Sequence, residues 1–153
     1  MKLIILFVLG LLTISSCSTN PSDILAGGLD SALLNYCETL DKQEAFEEDV
    51  VYLWIGKDSG ECEVQLSSDE YISQRAAPKN YKGHFYMQEH PVVVVIEDEG
   101  CNLGFVKEDR LFKDIPKSPN SGFNIPRPDD GPTYTYSIND SGKIELIYVK
   151  YHF

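Results

Sequence analysis

The sequence is short of positive charge. Its 13 lysine and arginine residues stand against 24 aspartate and glutamate residues, and the formal net charge is -11. Because nucleic acids and anionic lipid surfaces attract basic proteins, this composition argues against both as partners. The deficit is concentrated in residues 17–74, which carry 13 acidic and two basic side chains. An acidic half of this kind suits a solvated surface, a basic protein partner or cations.

Signatures of catalysis and of metal binding are also missing. The chain has no Gly-x-Ser-x-Gly elbow, no His-Glu-x-x-His pair and no Cys-x-x-Cys spacing. His84, His90 and His152 match no metal-ligand spacing, and neither Asp-Ser-Gly turn has the ligands of an EF-hand loop. We therefore expect no enzyme, no metal and no cofactor.

Long apolar runs are confined to the N-terminus, and the run at residues 91–96 has only the length of a buried strand. Lys2 precedes apolar residues from Leu3 to Leu12, and the segment ends in Ile14-Ser15-Ser16-Cys17. About 20 apolar residues are needed to span a bilayer, so this shorter run has instead the length of an export-signal core. Over residues 1–18 the pattern resembles the lipobox of bacterial prolipoproteins.

The resemblance implies that residues 1–16 are a cleaved signal peptide and that Cys17 carries lipid, including palmitate. Such a protein is anchored in the bacterial cell envelope, and Ser18 favours the outer membrane if the bacterium is diderm. Residues 17–28 are then the lipidated cysteine and a tether, and residues 29–153 are a single globular domain. An ordinary secretory signal with a cysteine near its end is the alternative.

Three further cysteines follow the anchor: Cys37, Cys62 and Cys101. Export places them in an oxidising space, where three thiols allow one disulfide bond and leave one thiol over. If the strand from Glu61 pairs antiparallel with the strand that ends at Glu97, Cys62 meets Cys101. Cys37 then stays a buried thiol, although it could compete for either partner.

Periodicity and capping patterns predict one long helix, one short helix and several strands. The helix is capped by Asp30 and runs to about Phe46, and a second, short helix runs from Ser67 to just before Pro78. Strand patterns occupy residues 50–55, 61–66, 92–96, 101–105, 133–138 and 143–151. We therefore predict an α+β fold in which an N-terminal amphipathic helix packs on a mostly antiparallel sheet of about five or six strands. Residues 107–132 form a long proline-rich loop.

Binding candidates are aromatic. Tyr81, Phe85 and Tyr86 cluster in a glycine-containing connection, and Phe123 lies in the proline-rich loop. Exposed rings can stack on sugars or anchor a protein interface, whereas core filling is the competing interpretation. These features favour a non-catalytic binding lipoprotein of the envelope with an unidentified protein or glycan partner. The alternatives are an inhibitor or immunity-type lipoprotein that binds a basic enzyme, a structural accessory of a larger membrane assembly, and a small envelope hydrolase with a site assembled in space.

Overall fold

A computed structural model of the chain describes residues 20–43, 50–68, 80–114 and 131–151. Its helices are α1 (Pro21–Ile24), α2 (Leu29–Asp41), α3 (Glu99–Asn102) and a 3-10 helix (Glu108–Arg110). Its strands are β1 (Val51–Asp58), β2 (Glu61–Ser67), β3 (Tyr81–Met87), β4 (His90–Ile96), β5 (Thr133–Ile138) and β6 (Ile144–Lys150).

The six strands form one mixed sheet in the order β3-β4-β1-β2-β5-β6. Every neighbouring pair is antiparallel except β1 and β4, which run parallel. The predicted α+β class, the strand number and the mostly antiparallel pairing are confirmed at this level.

Strand β4 is buried along its whole length. Val92, Val94 and Ile96 belong to the main core cluster, while Val93 and Val95 are buried on the opposite face. A run of β-branched residues suits this position because branched side chains pack well on both faces of a pleated strand. The prediction of a buried strand over residues 92–96 is confirmed.

Helix α2 is the predicted amphipathic helix, with shifted ends. It begins after Gly28, which has a φ of +88°, so Asp30 lies in the first turn and is not the cap. A left-handed residue at this point suits glycine, which has no Cβ to clash. The helix ends at Asp41, short of the predicted Phe46, which lies outside the described residues. Its buried side chains join the strand residues in one core cluster: Leu29, Leu33, Tyr36, Cys37 and Leu40.

The proposed tether is partly wrong. Ile24 and Leu25 are buried, and Leu25 makes an antiparallel bridge with Val106. The Ala26 amide also donates to the carbonyl oxygen of Phe105. The folded domain therefore includes α1 and does not begin at Leu29.

Two hairpins join strands that the sequence patterns predicted. β1 and β2 turn at Ser59–Gly60, and Val64 and Leu66 face the core. In the β5–β6 hairpin the side-chain oxygen of Asn139 accepts from the amide of Lys143 at 3.0 Å. This side chain closes the turn in the manner of an Asx motif.

The expected strand over residues 101–105 is a helix and a turn. The Asp98 side chain caps α3 by accepting a hydrogen bond from the Gly100 amide at 2.8 Å. The ammonium group of Lys57 and, to a smaller extent, this hydrogen bond lower the pKa of Asp98. Cys101 and Phe105 are buried, but Leu103 is 66% exposed and has a φ of +41°. The alternation of apolar residues over 101–105 is typical of a strand, but Asp98 just before it caps a helix instead. Of the second predicted helix, Ser67 belongs to β2 and the residues from 69 onward lie outside the described part.

Cys62 and Cys101 form a disulfide bond, with their Cα atoms 5.4 Å apart, and Cys37 is a buried free thiol. The predicted pairing is confirmed, but its stated reason is wrong, because β1 lies between β2 and β4. The directions were right. β2 starts at the sheet end where β4 finishes, and α3 carries Cys101 across the end of β1 to Cys62. Closing a loop with a sequence separation of 39 stabilises the fold by about 4 kcal/mol on the chain-entropy estimate.

Candidate binding site

The aromatic segment expected to be a connection is strand β3. It pairs antiparallel with β4, and the hairpin between them turns at Gln88, which has a φ of +54°. Two features hid the strand in the sequence. Gly83 interrupts the strand pattern and coincides with a register shift, and the turn lacks the Asn-Gly or Asp-Gly that usually marks a tight hairpin.

Strand β3 separates the three aromatic candidates. Phe85 is 1% exposed and belongs to the core, so its assignment as a binding residue is wrong. Tyr86 is 50% exposed on the other face. Tyr81 is half-buried, and its hydroxyl donates to the carbonyl oxygen of Asp114 at 2.6 Å. Tyr81 therefore positions the segment of residues 111–114, which lies beside β3.

The segment of residues 111–114 adds an aromatic residue, Phe112, that the sequence did not single out. The amide of His84 donates to the carbonyl oxygen of Phe112 and the amide of Phe112 donates to the carbonyl oxygen of His84, both at 2.9 Å. The ring centroid of His84 lies 5.5 Å from that of Phe112 and 5.6 Å from that of Tyr86. Phe112 is 47% exposed, whereas His84 is buried. We call Tyr86, His84 and Phe112 the aromatic patch.

Gly83 allows strand β3 and the segment around Phe112 to approach each other this closely. Its φ is +140°, and a Cβ atom at this position would lie 2.5 Å from the carbonyl oxygen of Phe112 and 2.7 Å from the Cβ atom of Leu111. No side chain fits such a space without a shift of the neighbouring backbone. The glycine is thus required by the contact that carries Phe112 to the edge of the sheet.

Two lysine side chains, Lys82 and Lys113, connect the segment around Phe112 with its surroundings. The Nζ atom of Lys113 donates to the carbonyl oxygens of Lys82 at 2.7 Å and of Glu108 at 3.1 Å. The ammonium group of Lys82 contacts the carboxylates of Glu99 and, at 3.9 Å, Glu108. The hydrogen bond that Lys82 donates to the carboxylate of Glu99 is the main reason that the pKa of Lys82 is raised. Lys82 is thus paired with carboxylates and Lys113 is bound to backbone carbonyl oxygens, while the patch presents aromatic surface.

A catalytic alternative within the described residues would use Cys37, Asp41 and His90. The Nε2 atom of His90 lies 2.9 Å from a carboxylate oxygen of Asp41, and Asp41 follows Cys37 by one helical turn. Burial, and secondarily the charge of Asp41, raise the pKa of the Cys37 thiol to about 12. A nucleophilic cysteine needs the opposite shift, because the thiolate is the reactive form.

The remaining candidates lie elsewhere. Phe123 and His152 are outside the described residues. Among residues 20–43, 50–68, 80–114 and 131–151 no three His, Cys, Asp or Glu side chains are grouped so as to hold a metal ion. In the same part of the chain, no helix has the length and apolar character to cross a membrane.

Comparison with known proteins gave no match: no family model fits the chain, and no curated protein or solved structure is significantly similar to it.

The role of Gly83 can be tested by Gly83→Ala. We expect a loss of unfolding free energy greater than the about 1–3 kcal/mol of a strained backbone, because the added Cβ atom also displaces Phe112. Denaturant unfolding measures the loss. Gly104→Ala is the matched control, because Gly104 has a φ of +81° but nothing within 4 Å of an added Cβ atom. A Gly83→Ala variant that is no less stable than Gly104→Ala would contradict the close approach.

Proposed function

We propose that this chain is a lipid-anchored protein of the bacterial cell envelope that binds a partner non-catalytically through the aromatic patch. The observation that carries the binding role is the pair of half-exposed rings, Tyr86 and Phe112, held on the buried ring of His84. The lipobox ending at Cys17 supports the anchoring. The two arguments are independent, since one rests on the first 18 residues and the other on the sheet edge.

The patch suits a protein or a glycan better than a small ion. Tyrosine and phenylalanine rings offer large apolar faces that can stack on a sugar or fill a partner's pocket. They lose little conformational entropy on binding here, because the paired backbones of His84 and Phe112 hold them in place. The net charge of -11 argues against a nucleic-acid partner.

An inhibitor or immunity-type lipoprotein is a second candidate, supported by the acidic end of the sheet. Asp58 and Glu61 are exposed at the β1–β2 turn, and Glu97 and Glu99 are exposed just beyond the end of β4 at the same end. Lys57 offsets part of this charge through a 3.0 Å ion pair with Asp98. A basic enzyme that docked here would bind less tightly at high salt, because exposed charges are screened.

We also infer that α2 covers one face of the sheet and so leaves the patch on the other. The ring of Tyr36 meets that of Tyr134 edge to face at 5.1 Å, and its hydroxyl donates to the carbonyl oxygen of Pro132 at 2.7 Å. These contacts support packing of α2 near β5, on the core face that also receives Phe85.

Anchoring is tested by Cys17→Ser. Without the thiol no thioether to lipid can form, so we expect labelled palmitate incorporation to disappear. The variant should leave the membrane fraction or persist as uncleaved precursor. Ser18→Ala is the control, since it keeps the thiol. Equal label in the wild type and the Cys17→Ser variant would contradict lipidation at this residue.

Binding is tested with a photoreactive phenylalanine analogue placed at position 112 in intact envelopes. We expect a cross-linked adduct to a protein or glycan, and we expect it to weaken about ten-fold or more when Tyr86→Ala removes the neighbouring ring. The same analogue at Leu103 is the control, because Leu103 is 66% exposed but lies outside the patch. No adduct at position 112, or equal adducts at both positions, would refute the patch as the binding surface.

A further inference from the structure

The second edge of the sheet, strand β6, carries an unusual surface. Within the described residues β6 pairs with β5 alone. Three consecutive apolar side chains stand exposed in its middle: Leu146 at 53%, Ile147 at 50% and Tyr148 at 48%. The charged residues Glu145 and Lys150 flank them. Edge strands that resist pairing usually carry charge in the middle, whereas here the charge stands at either end of an apolar centre.

A bulge in β6 sets the two charges on one face. Thr135 pairs with Tyr148 but Tyr136 pairs with Leu146, so Ile147 is an extra residue in the ladder. Residues five apart in a regular strand point to opposite faces. Here Glu145 stands opposite Ser137 and Lys150 opposite Thr133. Because Ser137 and Thr133 are four apart on β5, the extra residue returns Glu145 and Lys150 to the same face.

This arrangement is complementary to itself. If two β6 strands run antiparallel with the twofold axis between residues 147 and 148, Glu145 of each copy lies opposite Lys150 of the other. Leu146 then lies opposite Val149, and Ile147 opposite Tyr148, so every remaining central pair is apolar. A shift of two residues in either direction loses both charge pairs. The charge pattern thus selects one register and one kind of partner.

We propose that β6 is a homodimer interface, in which the β6 edges of two copies associate antiparallel with Glu145 of each opposite Lys150 of the partner subunit. The backbone groups along the edge supply hydrogen bonds, the apolar centre supplies buried area, and the charges fix the register. Dimerisation through β6 leaves the aromatic patch free, since β3 and β6 are the opposite edges of the sheet.

Charge reversal tests the register directly. Sedimentation equilibrium of the full chain in density-matched detergent gives the dimer dissociation constant. Glu145→Lys places like charges opposite each other in both symmetric pairs, and so does Lys150→Glu. We expect each variant to raise the dissociation constant about ten-fold or more. The double variant Glu145→Lys/Lys150→Glu exchanges the charges and should return the constant to near the wild-type value.

Two controls separate an interface effect from damage to the hairpin. Glu145 also accepts a 2.8 Å hydrogen bond from Asn139, so Lys150→Glu tests the same pair at the end away from the turn. Leu103→Ala removes an exposed apolar side chain outside β6 and should leave the dissociation constant unchanged. A wild-type chain that stays monomeric at about 100 µM would overturn the proposal. Single reversals without effect, or a double variant that stays weak, would overturn it equally.

Discussion

The burial of β4 on both faces is the constraint on which the rest of the structure depends. A strand with no exposed residue must have a neighbour on each side and side chains packed above and below it. β3 supplies one neighbour and β1 the other. The pairing with β1 is parallel, so the chain must return to the starting end of the sheet between these two strands. Strands β2 and β3 both run antiparallel to them, so each leads the chain back toward that end.

This constraint leaves the two edges of the sheet available for contacts with other molecules. The middle strands are occupied by core packing, and the exposed aromatic and apolar side chains of the sheet lie at β3 and β6. The β3 edge is further built up by the segment around Phe112, which pairs with His84 and is held by lysine contacts. The backbone pairing of His84 with Phe112 holds these rings in place before any partner arrives, as binding through the proposed patch would require.

Sequence periodicity could predict the parts of the fold whose pattern is local. The strand Val92–Ile96 follows from a continuous apolar run. The strands of the β1–β2 and β5–β6 hairpins follow from their strand patterns, and the apolar face of α2 follows from helical spacing. β3 could not be predicted in this way, because Gly83 breaks its pattern for the sake of a contact with a chain segment distant in sequence. Phe112 was missed for the same reason. Its local signal, the apolar pair Leu111-Phe112 in a polar stretch, says nothing about which strand it meets.

The disulfide bond shows how a correct pairing can follow from an incomplete topology. Cys62 and Cys101 meet because β2 and β4 run in opposite directions, as the supposed antiparallel pairing required. The insertion of β1 between them depends on a parallel pairing, which has no local signature in the sequence. Of the aromatic patch, the sequence singled out Tyr86 but could not supply Phe112, and Phe85, which it grouped with Tyr86, belongs to the core.

The central claim is that the Phe112 segment is an integral part of the sheet edge, and amide hydrogen exchange measured by NMR tests it most directly. The amides of His84 and Phe112 each donate to the other's carbonyl oxygen, so both should be protected together with those of Val92–Ile96. Protection of the β4 amides alongside a Phe112 amide that exchanges at the rate of an unstructured peptide would contradict the account.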